Sequence, residues 1–147
     1  MSDGVGPGPY DGEVTTATDA LQRLDEAVSA GVVDDLCVRR RVRLLAVFGS
    51  AARGTAVPAS DLDLAVEWID GGDLLELVDA LTAITRFDRV DVAVLNGAGP
   101  TLRARTLIGR GLYENERGAY AIAQMAALGE WRDTAKLRRL DLRRMAG

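Results

Sequence analysis

Apolar residues recur along this chain at two spacings, and the alternation between them predicts helices and strands in turn. Helical spacing comes first: Leu21, Leu24 and Val28 follow Thr18, an N-cap candidate, and Gly31 breaks the pattern. Residues 32–40 continue as a second helical segment, and the basic triplet Arg39-Arg40-Arg41 leads into an apolar strand from Leu44 to Phe48. After Gly49-Ser50 a one-turn helix is predicted, ended by Gly54, and the alternation of 61–67 predicts a second strand. Gly71-Gly72 then separates it from a helix over 73–85, whose Leu74, Leu77, Val78 and Leu81 form an apolar stripe. A third strand is expected over 89–95, a helix from Pro100 to Arg110, and a short strand over 111–114. From Glu116 onward the alanine-rich run and the tail favour helix, with Gly129 as a weak point. Strands alternating with helices give an α/β domain, a short mixed sheet flanked by helices with a helical C-terminus.

Three acids interrupt this pattern. Strand side chains alternate faces, so Asp61 and Asp63 project to one side while Leu62, Leu64 and Val66 project to the other. Like charges at i and i+2 repel, and a carboxylate leaves water only when protons or cations compensate it. Magnesium does so with oxygen ligands, retaining waters and accepting substrate phosphates. Gly49-Ser50 fits the same chemistry: glycine lets a phosphate approach the backbone, Ser50 offers a hydroxyl, and the following turn presents N–H groups. Asp91 repeats the anomaly inside an apolar strand, and if that strand lies beside 61–67, three carboxylates share a face that only substrate should cover. Arg53 is a fixed cation near this phosphate site. Gly-Ser after a strand is also ordinary turn chemistry, and Asp at a strand start can guard an edge. Neither reading covers Asp63 or Asp91.

Gly-Ser after a strand, ten residues, Asp-x-Asp, then a later strand with one Asp resembles the nucleotidyltransferase (DNA polymerase β-like) superfamily. More narrowly, FGSAARGTAVPASDLDLAV and VDVAVLNGAGPTLRARTLIGRGLYE resemble the minimal nucleotidyltransferase (MNT) antitoxins of HEPN/MNT (type VII) toxin–antitoxin pairs. The resemblance runs from about Leu44 to Glu114. It implies a polymerase β-like fold and transfer of AMP from ATP, with two Mg²⁺ ions, to a tyrosine of a cognate HEPN ribonuclease toxin. Gly49, Ser50 and Arg53 would then bind the phosphates; Asp61, Asp63 and Asp91 would be the catalytic, metal-binding acids. Two other readings stand beside it: a small-molecule nucleotidyltransferase of the aminoglycoside type, and an antitoxin that blocks its toxin by binding alone.

At 147 residues the chain has room for one domain, expected over 14–147 after a disordered Gly/Pro-rich leader, 1–13, with the catalytic core at about 42–114 and a helical region at 115–147. No apolar run approaches the ~18 residues that span a bilayer, and no export signal is visible, so a cytoplasmic location is expected. The one cysteine, Cys37, reads as a small buried residue. Histidine is absent, which excludes zinc–histidine sites, Ser–His and Cys–His nucleophiles, and the histidine-dependent HEPN ribonuclease itself. A net charge of -4 argues against a broad nucleic-acid footprint. The charge is uneven: residues 131–147 carry net +4, a basic tail able to meet an acidic partner or to form a solvated helix face.

Overall fold

The computed structural model describes residues 15–146, and side chains from 15 to 135; the expected leader over 1–13 and most of the basic tail's side chains lie outside the described residues. The chain order is α1 (Ala17–Ser29), α2 (Val32–Arg39), β1 (Val42–Phe48), α3 (Gly49–Arg53), β2 (Leu62–Trp68), α4 (Leu74–Thr85), β3 (Val90–Val94), α5 (Pro100–Leu107), β4 (Arg110–Glu114) and α6 (Ala119–Ala146). The strands form one mixed sheet in the order β3-β2-β1-β4, with β1 antiparallel to β2 and β4, and β2 parallel to β3.

The N-cap of helix α1 lies two residues before the expected Thr18. Thr16 is its N-cap because it closes a reciprocal box: Thr16 Oγ1 accepts from the Asp19 N–H at 3.2 Å, and Asp19 Oδ2 accepts from the Thr16 N–H at 3.3 Å. Thr18 has no acid three residues later, and a reciprocal cap satisfies two orphan donors for about 1 kcal/mol. The other elements agree with the periodicity to within a few residues. Helix α6 runs unbroken through Gly129, so the flanking alanines and long side chains outweigh one glycine. Leu74 departs from the expected stripe of α4: it sits in the first turn and stays partly exposed while Leu77 and Leu81 are fully buried.

The strand alternation decides what covers each face. Leu45 and Val47 of β1, Leu62, Leu64, Val66 and Trp68 of β2, and Leu112 of β4 pack against α1, α2 and α4. Ten leucines and valines of the cluster on that side are wholly enclosed, each contributing roughly 1.5–3 kcal/mol against exposure. Ala65, with Leu95, Leu107 and Ala127, forms a smaller cluster on the other face, under α5 and α6. That face is therefore not reserved for substrate along its whole length, as the sequence suggested. Small Ala65 lets two helices approach its middle, and Tyr120 Oη and Gln124 Nε2 of α6 both donate to the Leu107 carbonyl, at 2.6 and 2.7 Å, fixing the end of α5. Only the end of the face where β1 stops is left open.

The arginine triplet belongs to the scaffold. Arg39 donates to the Asp35 carbonyl at 3.2 Å, Arg40 pairs with Glu76 at 2.6 Å, and Arg41 grips Asp70 through two hydrogen bonds of 3.1 and 3.2 Å. Cys37 is buried as expected. Burial and then the nearby Asp34 push its thiol up to about 12, so no reactive thiolate forms near neutral pH. Among the described residues no helix is long and apolar enough to cross a membrane.

Candidate active site

The open end of the sheet is built where β1 meets α3. Phe48, extended at φ -137°, is the N-cap of α3 and supplies no capping side-chain bond, so the first turn keeps its N–H groups free of a side-chain cap. Gly49 follows at φ 74°, a left-handed conformation. Glycine is required there for a second reason: a Cβ would collide with the Asp63 carboxylate, whose Oδ2 lies directly against the Gly49 backbone. Sequence and site are locked together at this point, since the residue that turns the chain is also the one that admits the acid.

Asp63 occupies the opposite face of β2 from Leu62 and Leu64, beside Phe48 in the antiparallel register. Across the parallel pair Asp63 stands opposite Asp91 of β3. Val90 and Val92 turn toward the main core, which leaves Asp91 on the face of Asp63. The expectation that 61–67 and 89–95 are neighbours is met, and two of the three acids meet through it. Desolvation, then the like charges of Asp91 and Asp61, raise the Asp63 carboxyl above its ordinary value, while Arg105 and Arg53 oppose the rise.

Asp61 lies just before β2, where the sequence had placed the strand's first residue. Its Oδ1 is 3.4 Å from Arg89 Nε, and its side chain is half exposed. Arg89 also donates to the Pro58 carbonyl at 3.0 Å and the Ser60 carbonyl at 3.3 Å, and stacks 4.8 Å from the Phe87 ring centre. One guanidinium thus holds the 58–61 loop in place and draws Asp61 toward it. Accordingly, no group of three acids among the described residues closes into a ready metal cage. Asp63 and Asp91, with Asp61 at the rim, suit instead a hard cation that takes some of its oxygens from waters and substrate phosphates, as magnesium does.

A cleft of ≈ 310 Å³ opens beside Asp63, lined by Phe48, Gly49, Ser50, Arg53, Asp63, Arg105 and Ile108. It gathers four residues singled out from the sequence, Gly49, Ser50, Arg53 and Asp63, and adds Arg105, which was missed. A signal was present: Arg103 and Arg105 are two apart on α5, so they diverge by more than half a turn. Arg103 points inward, donating to the Leu95 carbonyl at 2.9 Å and pairing with Glu67 at 3.2 Å, and Arg105 is the one left to face the cleft. Arg89 was likewise unforeseen, because its partners are loop carbonyls that no periodicity marks.

Comparison with known proteins places this geometry. A family model described as Polymerase beta, Nucleotidyltransferase matches residues 33–118. No curated protein matches the chain. Among solved structures, a toxin–antitoxin complex with AMP-PNP is similar at TM-score 0.62 and 21% identity, over 78% of this chain and 96% of that one. A complex of a tri-AMPylated Shewanella oneidensis HEPN toxin with its MNT antitoxin is similar at TM-score 0.58 and 18% identity, over 86% and 98%. A structure assigned to a minimal nucleotidyltransferase reaches 36% identity at TM-score 0.50, over 63% of this chain and 92% of its own. With the family model spanning the whole sheet and Asp61, Asp63 and Asp91, the chain belongs to the polymerase β nucleotidyltransferase family.

Proposed function

We propose that this protein is an antitoxin enzyme that moves AMP from ATP, with Mg²⁺, to a tyrosine hydroxyl of a cognate HEPN ribonuclease toxin. The observation that carries the chemistry is the in-register pair Asp63 and Asp91, set against the Gly49 turn at a cleft that also holds Ser50 and two arginines. The partner class is supported by two of the similar structures, both toxin–antitoxin complexes, one with AMP-PNP and one with an AMPylated toxin.

In this reading Gly49 brings its backbone, and Ser50 its hydroxyl, to the β- and γ-phosphates, while Arg53 adds a cation at the end of α3. Asp61, Asp63 and Asp91 would hold the two Mg²⁺ ions, which when bound neutralise phosphate charge and make the acceptor hydroxyl easier to deprotonate. The acceptor oxygen bonds to the α-phosphorus as the bridge to the β-phosphate breaks. Both bonding electrons leave with pyrophosphate, and the hydroxyl proton passes by way of the Asp91 side to water. Catalysis on this scheme is positioning and charge neutralisation, with no covalent intermediate on the protein.

Incubating the protein with purified partner toxin, ATP and Mg²⁺ and weighing the intact toxin tests it. One or more added AMP masses, lost when Mg²⁺ is chelated, is the expected result. Unmodified toxin in a tight, inactive complex would favour an antitoxin that acts by binding alone.

A further inference from the structure

The cleft beside Asp63 continues into a second hollow of ≈ 160 Å³ that shares Phe48, Gly49, Arg53, Arg105 and Ile108 with it. The composition changes along the way. Asp63 and Ser50 drop out of the lining, and Ala52, Gly109 and Arg110 enter. Arg110 is committed elsewhere, its two terminal nitrogens on the Asp25 carboxylate at 2.9 and 3.0 Å. Arg53 and Arg105 are exposed and enter no ion pair or hydrogen bond described for the other side chains of the cleft. Moving away from the carboxylates, the walls therefore lose their negative charge and keep two guanidinium groups contributed by separate helices, α3 and α5.

This gradient gives a bound triphosphate one direction. The reacting α-phosphorus belongs at the carboxylate end, where the acids would hold the cations, and the remaining phosphates extend toward the arginines, the positive groups that continue past Asp63. We propose that Arg105 is a substrate-binding residue that, with Arg53, holds the β,γ-phosphate end of the nucleotide in the hollow between α3 and α5, and retains the pyrophosphate released there. The inference deepens the nucleotidyl-transfer reading and rests on it. The wall of the hollow is fixed in place: a Cβ at Gly109 would strike the Val47 carbonyl oxygen, so the chain passes tightly over the end of β1, and Tyr120 with Gln124 anchors the adjoining end of α5. Two planar guanidiniums suit vicinal phosphate oxygens better than two ammonium groups would.

The test compares wild type, Arg105→Ala and Arg105→Lys by calorimetric binding of AMP-PNP, inorganic pyrophosphate and AMP, all with Mg²⁺. Arg105→Ala is expected to weaken AMP-PNP and pyrophosphate about tenfold. AMP affinity and melting temperature should not change, because the side chain is exposed and AMP lacks the phosphates it meets; Arg105→Lys should recover part of the loss. If AMP-PNP and pyrophosphate bind the alanine variant as they bind wild type, or if AMP weakens in parallel, the assignment of Arg105 is overturned while nucleotidyl transfer stands. A wild-type protein that binds neither AMP-PNP nor pyrophosphate overturns both.

Discussion

Asp63→Asn is expected to raise the melting temperature of the Mg²⁺-free protein by a few degrees at neutral pH while reducing AMP transfer on the order of 10³-fold. The two effects have one origin. Asp63 is partly withdrawn from water, abuts the Gly49 backbone and faces Asp91, so burial first and like charges second lift its carboxyl above the ordinary 3.8. A folded-state value above the unfolded one means that the native state holds the proton more tightly. The resulting stability is present below 3.8 and is lost as pH rises through the folded value; above it the ionised group opposes folding. Asparagine removes that opposition at nearly constant volume. The melting-temperature gain should therefore shrink as pH is lowered toward 3.8, and Mg²⁺ with ATP should stabilise wild type more than the variant, since at one concentration the tighter-bound ligand stabilises more. Calorimetric melts at several pH values, with and without Mg²⁺·ATP, check the first effect, and toxin modification rates the second. A variant that is both less stable and fully active would show that Asp63 is an ordinary strand residue.

Asp91→Asn should separate binding from chemistry. Asp91 comes from β3, at the sheet edge, and stands beside Asp63 and across it from the Gly49-Ser50 turn. In the proposed reaction a residue so placed would serve the acceptor side. ATP binding should stay close to wild type, and transfer should fall roughly 10²–10⁴-fold, the range for removing a group that assists proton removal from the attacking hydroxyl. The fold should survive, because the side chain is exposed and Val90 and Val92 carry the packing of β3. Equilibrium ATP binding and single-turnover transfer, measured on protein with an unchanged melting curve, check the separation. Equal losses in both would place Asp91 on the nucleotide's own side.

Much of this was legible in the sequence because the physics there is local. Alternation across β2 put Asp63 opposite a packed face, and Asp91 stood out as an acid inside the apolar run 89–95, though its place beside 61–67 was a condition that the β2–β3 pairing meets. The anomaly of each acid followed from the local pattern alone. Gly49 was legible as a turn, but its second duty, making room for Asp63, depends on the β1–β2 register, Phe48 against Asp63, which periodicity does not give. Asp61 was expected to act as the twin of Asp63. Its tie to Arg89 comes from a side chain 28 positions later, whose remaining bonds go to loop carbonyls that leave no trace in composition. Arg105 was hidden for a related reason: next to Arg103 it looked like one half of a basic helix surface, and only the packing of α5 on the sheet sends one arginine to Glu67 and the other to the cleft. The partial covering of the acid face by α5 and α6 depended on Ala65, a residue notable only for being small.

The central claim is that the α-phosphate, with its nucleoside, leaves ATP for a protein hydroxyl. Parallel reactions with toxin, Mg²⁺ and ATP labelled at either the α- or the γ-phosphorus test it most directly. The account predicts label on the toxin only from α-labelled ATP, with the γ-label recovered as pyrophosphate. Toxin labelled from the γ-position, or from neither, would contradict it.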